Sequence, residues 1–246
     1  MRNIFTTVII WILGISCFAQ SESIITGTAD TDVIAVVLDK KITVKEKDRL
    51  NRLIFSTLLK QYAKENNIEP TDEEFNTFVQ KTEEKEKQQE AKYAHDREKL
   101  QEDLKSPTIS EKDRKNKEAE IESIEKLLKT KLEIKERTKG MEELMRTAKR
   151  NMAVQFVKSW KINKSLYAKY GGRVIFQQAG PEPLDAYRDF LKEQEKKGAF
   201  EITDKSYEAS FWKYFTNDAM HTFYKGEDGA KFINTPWWMM EQPQDK

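Results

Sequence analysis

One cysteine is all this chain has, and it sits at Cys17, inside a stretch that reads as a leader. Met1, Arg2 and Asn3 precede a largely apolar run over residues 4–18, and Ala19 follows. A short positive region, an apolar core too short to span a bilayer comfortably and a small residue together have the form of a cleaved secretory signal peptide. The expectation is cleavage after Ala19 and a periplasmic mature protein. The rival is a lipoprotein signal acylated at Cys17, which Gly14, Ile15 and Ser16 before it and Phe18 after it fit poorly. Without the leader no thiol is left, so disulfides, a catalytic cysteine and a cysteine-ligated metal are excluded from the expected mature chain.

Other shortages narrow the field further. Lys and Arg number 43 against 42 Asp and Glu, and losing Arg2 brings the two into balance, so overall charge gives no reason to expect nucleic acid. No later apolar run is long enough for a transmembrane helix. Only two histidines occur, His95 and His221, neither at metal-ligand spacing from another ligand, and no H-E-x-x-H is present. There is no G-x-S-x-G, no glycine-rich phosphate loop and no dinucleotide fingerprint; Gly171-Gly172 follows an expected helix rather than a strand. Paired carboxylates such as Glu73-Glu74 and Glu83-Glu84 read as caps or solvated faces. No catalytic residue, metal or cofactor is assigned, and the chain reads as a non-enzyme.

What is present is charge on helix formers: 35% of residues are charged and 38% hydrophobic, which implies a modest core with long solvated surfaces. Val33 to Val37 is a β-branched run suited to a strand, residues 38–41 form a polar turn, and Ile42 re-enters the core. Thr43 with Glu46 reads as a capping box ahead of a helix over 44–65, whose Leu50, Leu53, Ile54, Leu58 and Tyr62 recur at helical spacing. Asn66-Asn67 stops it. Thr71 with Glu74 caps the next helix, in which Phe75, Phe78 and Val79 face inward.

Beyond Val79, KTEEKEKQQEAKYAHDREKLQEDLK has almost no apolar stripe, so the helix must leave the core. Ser106-Pro107 breaks it, and Thr108 with Glu111 reads as the cap of a second long helix. That helix carries Ile124, Leu127, Ile134, Met141, Met145, Ala148 and Met152 on one seam. The two form an antiparallel hairpin arm about 40 Å long, with a free coiled-coil oligomer as the alternative. Core character returns through Val154, Phe156, Trp160, Leu166 and Tyr170; Gly171-Gly172 ends the helix, and 173–176 reads as a strand. Pro181 and Pro183 open a helix through Tyr187 and Phe190, and a further helix spans 205–224.

Two stretches stay open to more than one reading. Between Glu143 and Glu182 no acidic residue occurs, while Arg146, Lys149, Arg150, Lys158, Lys161, Lys164, Lys169 and Arg173 accumulate among aromatics. They could engage single-stranded nucleic acid, an anionic membrane surface or an acidic client, or simply face the acidic first helices, which is the favoured reading. Trp237-Trp238-Met239-Met240 could contact a client or fold back to complete the core, the second again being favoured.

Ile34 to Val37, Ile42-Thr43, Glu46, Leu58-Leu59 and the ENNIEPTDEEFNTFV segment resemble the N-terminal chaperone domain of SurA-type periplasmic proteins, with PrsA and trigger factor as broader kin. The likeness covers 32–79 well and the helix before Gly171-Gly172 more loosely. It departs at Val37-Leu38-Asp39, where the family often has Val-Asn-Gly, and at Lys47, a position usually apolar. Charged helix also stands where the parvulin-type isomerase domain would be.

The resemblance implies a mainly α, SurA-N-like helical domain with a small strand pair and a long projecting antiparallel helical hairpin. Its segments are a leader (1–19), the first part of the chaperone domain (20–80), the hairpin arm (81–140), a returning helix and strand (141–180) and a C-terminal helical segment with an aromatic tail (181–246). The implied function is ATP-independent holding of unfolded envelope or outer-membrane clients, without proline isomerisation or cofactor. Candidate client-binding residues are Phe75, Phe78, Phe156, Trp160, Trp237 and Trp238. The alternative is a structural protein whose arm docks one dedicated envelope partner. Oligomeric state is not assigned.

Overall fold

The structure, a computed structural model, describes residues 32–177 and 180–240. The expected leader, with Cys17 and its cleavage site, and the last six residues lie outside the described residues. The fold is mainly helical, with seven α-helices and two small antiparallel sheets among the described residues. It divides into two compact units. Among the described residues, a core unit comprises 32–69, 158–177 and 180–240, and a hairpin unit comprises 70–157.

In the core unit, strand β1 (Val33–Val37) turns back into β2 (Lys40–Thr43). Leu38 (φ 45°) and Asp39 (φ 64°) both adopt left-handed backbone, as a two-residue hairpin turn between right-twisting strands requires. Neither is glycine or asparagine, so the turn is strained; the Leu38 N–H bond to the Ala199 carbonyl (2.9 Å) helps hold it. Asp39→Gly is therefore expected to raise stability by about 0.5–1 kcal/mol, measured as a higher urea midpoint.

The expected helix over 44–65 starts differently. Its first six residues, Val44–Arg49, form a 3-10 turn, and α1 runs over Leu50–Glu65. The Glu46 carboxylate accepts from the Thr43 N–H at 3.1 Å. Leu50, Ile54, Leu58 and Tyr62, one turn apart, are the buried stripe of α1. Asn67, at φ 51°, then turns the chain after the helix.

The C-terminal part of α4 (Glu142–Tyr170) lies in the same core: Ile162 and Leu166 pack with the α1 stripe, and Tyr62 Oη lies 2.8 Å from Ser165 Oγ. Gly171 and Gly172, both at positive φ, end α4 as expected.

The strand expected over 173–176 is β3 (Val174–Gln177), the centre of a sheet with β4 (Gly180–Glu182) and β6 (Phe223–Tyr224). Pro181 is thus in a strand, and Pro183 alone precedes α5 (Leu184–Lys196), whose Leu184, Tyr187, Phe190 and Leu191 are buried. β5 (Phe200–Glu201) pairs with β1, so the anticipated strand pair becomes two three-stranded sheets, β2-β1-β5 and β4-β3-β6.

The helix expected over 205–224 is also corrected. Its helical core is only α6 (Glu208–Thr216), because the chain leaves helix at Asn217, makes a short turn over Asp218–Met220 and pairs Phe223 with Ile175. A last helix, α7 (Gly226–Asn234), packs on β3.

In the hairpin unit, α2 (Asp72–Asp103) carries the full capping box at Thr71: Glu74 N–H donates to Thr71 Oγ1 (3.2 Å) and Thr71 N–H to Glu74 Oε2 (2.8 Å). α3 (Glu111–Arg137) runs antiparallel to it, tied by Lys117–Asp103 (2.6 Å) and Lys131–Glu90 (3.1 Å). Its cap is Ser110 rather than Thr108: Asp113 N–H donates to Ser110 Oγ at 3.1 Å. The second long helix is not continuous either. Gly140, at φ 82°, separates α3 from α4, leaving Met141 43% exposed instead of on a shared seam. Phe78, Ile124, Ala153 and Val157 supply the unit's buried side chains.

Candidate binding surface

The six aromatic residues expected to line a client cradle fall into two groups of three. Phe75, Phe78 and Phe156 belong to the hairpin unit; Trp160, Trp237 and Trp238 belong to the core unit. Phe78 is 3% exposed and stacks on half-buried Phe156 with ring centroids 5.7 Å apart. Phe75 is half-exposed, with the Arg150 guanidinium 5.3 Å from its ring centre. Phe78 is therefore core, and of the three only Phe75 and Phe156 are partly exposed.

In the core unit, Trp160 donates Nε1–H to the Ile233 carbonyl at 2.8 Å, lies edge-on to Trp238, and has Lys164 over its ring. Trp238 is 3% exposed and Trp237 half-buried, with a Trp237 ring carbon 3.0 Å from where a Cβ on Gly180 would sit. The tail thus folds back through Trp238, which removes that residue from the client-binding set; Met239 stays 46% exposed. The large apolar side chains that are exposed among the described residues were not among the six. They are Leu132, Met141 and Leu144 in the hairpin unit and Val44, Met220 and Met239 in the core unit.

One cleft of about 220 Å³ opens between Lys47, Asp48 and Asn51 on one side and Ser210 on the other, with Leu50 and Phe211 at its base. Lys47, whose position departs from the resembled family, lies at its lip.

The basic stretch is largely neutralised from within. Lys149 pairs with Glu83 and Arg150 with Asp72 in the hairpin unit; Lys158 pairs with Glu69 and Lys169 with Glu193 in the core unit. Arg173 bonds both carboxylate oxygens of Asp185 and of Asp218, and its guanidinium lies 3.9 Å from the Phe223 ring centre. Burial pushes the Asp185 carboxyl up, but the bonds from Arg173 outweigh it and hold Asp185 below the usual carboxylate range. Glu193 is held down to about 2 by Lys197 first, then by the Tyr170 hydroxyl.

His95 is exposed on α2 and His221 half-buried in the core unit. Among the described residues no group of three or more His, Cys, Asp or Glu could hold a metal ion, and no helix is long and apolar enough to cross a membrane. No protein-family model, curated protein or solved structure matches the chain.

Proposed function

We propose that this chain is an exported, ATP-independent chaperone of the SurA type, which holds unfolded envelope or outer-membrane polypeptides without isomerising proline. One observation carries the reading. The strand, turn and helix at 33–65 are completed by a helix from much later in the chain, through the shared core of Leu50, Ile54, Leu58, Ile162 and Leu166 and the Tyr62–Ser165 bond. That discontinuous closure is what the resemblance to SurA-type domains implies, with a helical hairpin where the isomerase domain would stand.

Holding is assigned to scattered solvent-facing side chains rather than to a cradle. Met220 and Met239 on the core unit and Met141 and Leu144 on the hairpin unit are adaptable apolar contacts. Each contributes about 25 cal/mol per Å² of area it covers, so several weak contacts hold a client and release it without nucleotide.

In the test, an unfolded outer-membrane protein is diluted from urea into the mature chain at stoichiometric excess and aggregation is followed by light scattering. Suppression is expected, weakened several-fold by joint Met→Glu changes at 220 and 239 or by Met141→Glu with Leu144→Glu. Unchanged aggregation sinks the reading. The exposed Leu132, Met141 and Leu144 also favour a second reading, in which the hairpin docks one dedicated partner. Capture from envelope extracts separates the two: many unfolded clients support holding, a single stoichiometric protein supports docking.

A further inference from the structure

The basic stretch over 146–173 is largely neutralised from within, but four of the cations around the start of α1 are not. Residues 40–52 hold Lys40, Lys41, Lys45, Lys47, Arg49 and Arg52 against two acids, Glu46 and Asp48. That segment is +4, while the rest of the chain, with 37 basic and 40 acidic residues, is −3. Lys40, Lys45, Lys47 and Arg49 are exposed, and none of these four has an ion-pair partner among the described residues. Glu46 is engaged locally: its carboxylate accepts from the Thr43 N–H at 3.1 Å and from the Thr43 hydroxyl at 3.3 Å.

The fold presents this charge on a fixed projection. Ile42 and Leu50, 4% and 2% exposed, anchor its two ends in the core, and no side chain of the 3-10 turn between them, Val44–Arg49, is buried. At three residues per turn Val44 and Lys47 stand in one column, so Val44, 40% exposed, is an apolar tip beside an ammonium group. The end of α1 adds to the potential. A helix N-terminus is positive and ordinarily carries acids, yet Arg49 precedes α1, and its first turn contains Arg52 and no acid. That arrangement costs stability. Lysines on a free strand edge keep it from pairing with another strand, which accounts for Lys40 and Lys41 on β2. Lys45, Lys47 and Arg49 come after the strand and guard no edge.

We propose that this projection docks on an anionic lipid bilayer, with Lys40, Lys45, Lys47 and Arg49 at the headgroup phosphates and Val44 entering the interface between them. Lipid rather than nucleic acid follows from composition, since residues 40–52 include no aromatic side chain on which a base could stack. Each cation near such a surface gives about a fivefold gain in partitioning, so the contact is shallow and reversible. It is independent of the holdase reading.

The experiment follows co-sedimentation of the mature chain with vesicles and no client; the mature chain is used so that the apolar run over 4–18 does not itself insert. Binding is expected to vesicles containing phosphatidylglycerol and not to phosphatidylcholine alone. It should disappear as salt rises from about 0.1 M to about 1 M, where the Debye length falls from about 10 Å to about 3 Å. Lys45→Gln with Lys47→Gln should weaken it about twentyfold, and Val44→Asn several-fold with the salt dependence unchanged. Lys126→Gln with Lys129→Gln, which removes two exposed cations from α3, should change it little. Every substituted side chain is exposed, so the variants should keep the parent's unfolding midpoint. Absence of binding at low salt, or equal weakening by the two lysine pairs, overturns the proposal. So does tighter binding to soluble polyglutamate than to the vesicles, which would assign the surface to an acidic polypeptide.

Discussion

Replacing Phe190 with alanine is expected to lower the unfolding free energy of the core unit by about 3–5 kcal/mol. Phe190 is 1% exposed, and its ring meets Tyr62 of α1 edge-on at 5.4 Å and Tyr170 of α4 at 6.4 Å. One side chain of α5 thus touches both the early helix and the late one, and truncating it leaves a cavity shared by three helices that cannot all close in on it. The measurement is urea unfolding followed by tryptophan fluorescence. Trp160, Trp212, Trp237 and Trp238, the tryptophans beyond the expected leader, all belong to the core unit, so the signal reports that unit alone. Phe75→Ala, at a half-exposed ring in the hairpin unit, serves as control and should leave this transition in place. A loss below about 1 kcal/mol for Phe190→Ala would mean that α1, α4 and α5 do not share one core, and the SurA-type reading would lose its support.

That shared core was readable in advance because its parts are locally periodic. Leu50, Ile54, Leu58 and Tyr62 mark one face of α1 by spacing alone, Thr71 and Glu74 announce α2, and Gly171-Gly172 announces the end of α4. The misread regions are those decided by distant partners. Phe211, Trp212, Tyr214, Phe215, Met220 and Phe223 can be read at helical spacing, yet Phe223 pairs with Ile175 and the helix stops at Thr216. β5 is two residues long, and only its pairing to Val36 and Val37 makes it a strand. Gly140 did carry a local stop signal, which the apolar seam across it concealed.

The candidate site fared worse, for a related reason. Phe78 and Trp238 are aromatic, and residue type does not reveal whether a ring meets solvent or another ring of the same protein.

Gly172→Ala is the second change with a large expected effect, and its neighbour supplies the comparison. Both glycines follow α4 with left-handed backbone, Gly171 at φ 66° and Gly172 at φ 92°. A Cβ at Gly171 would have nothing within 4 Å, whereas one at Gly172 would lie 2.4 Å from Asp185 Cβ, too close for any real pair of carbons. Gly171→Ala thus incurs backbone strain alone, about 1–2 kcal/mol. Gly172→Ala adds overpacking of about 1–3 kcal/mol and displaces the carboxylate that accepts from Arg173 N–H (2.8 Å), Nε (2.8 Å) and Nη2 (3.0 Å). Its total is expected at about 3–5 kcal/mol, read by the same fluorescence transition. The steric part can be isolated, because the contact is with Cβ and not with the charge. Adding Asp185→Gly to Gly172→Ala should recover part of the loss relative to Asp185→Gly alone; Asp185→Ala, which retains the Cβ, should recover none. Equal costs at the two glycines, within about 0.5 kcal/mol, would show that α5 does not press on the end of α4 at this point.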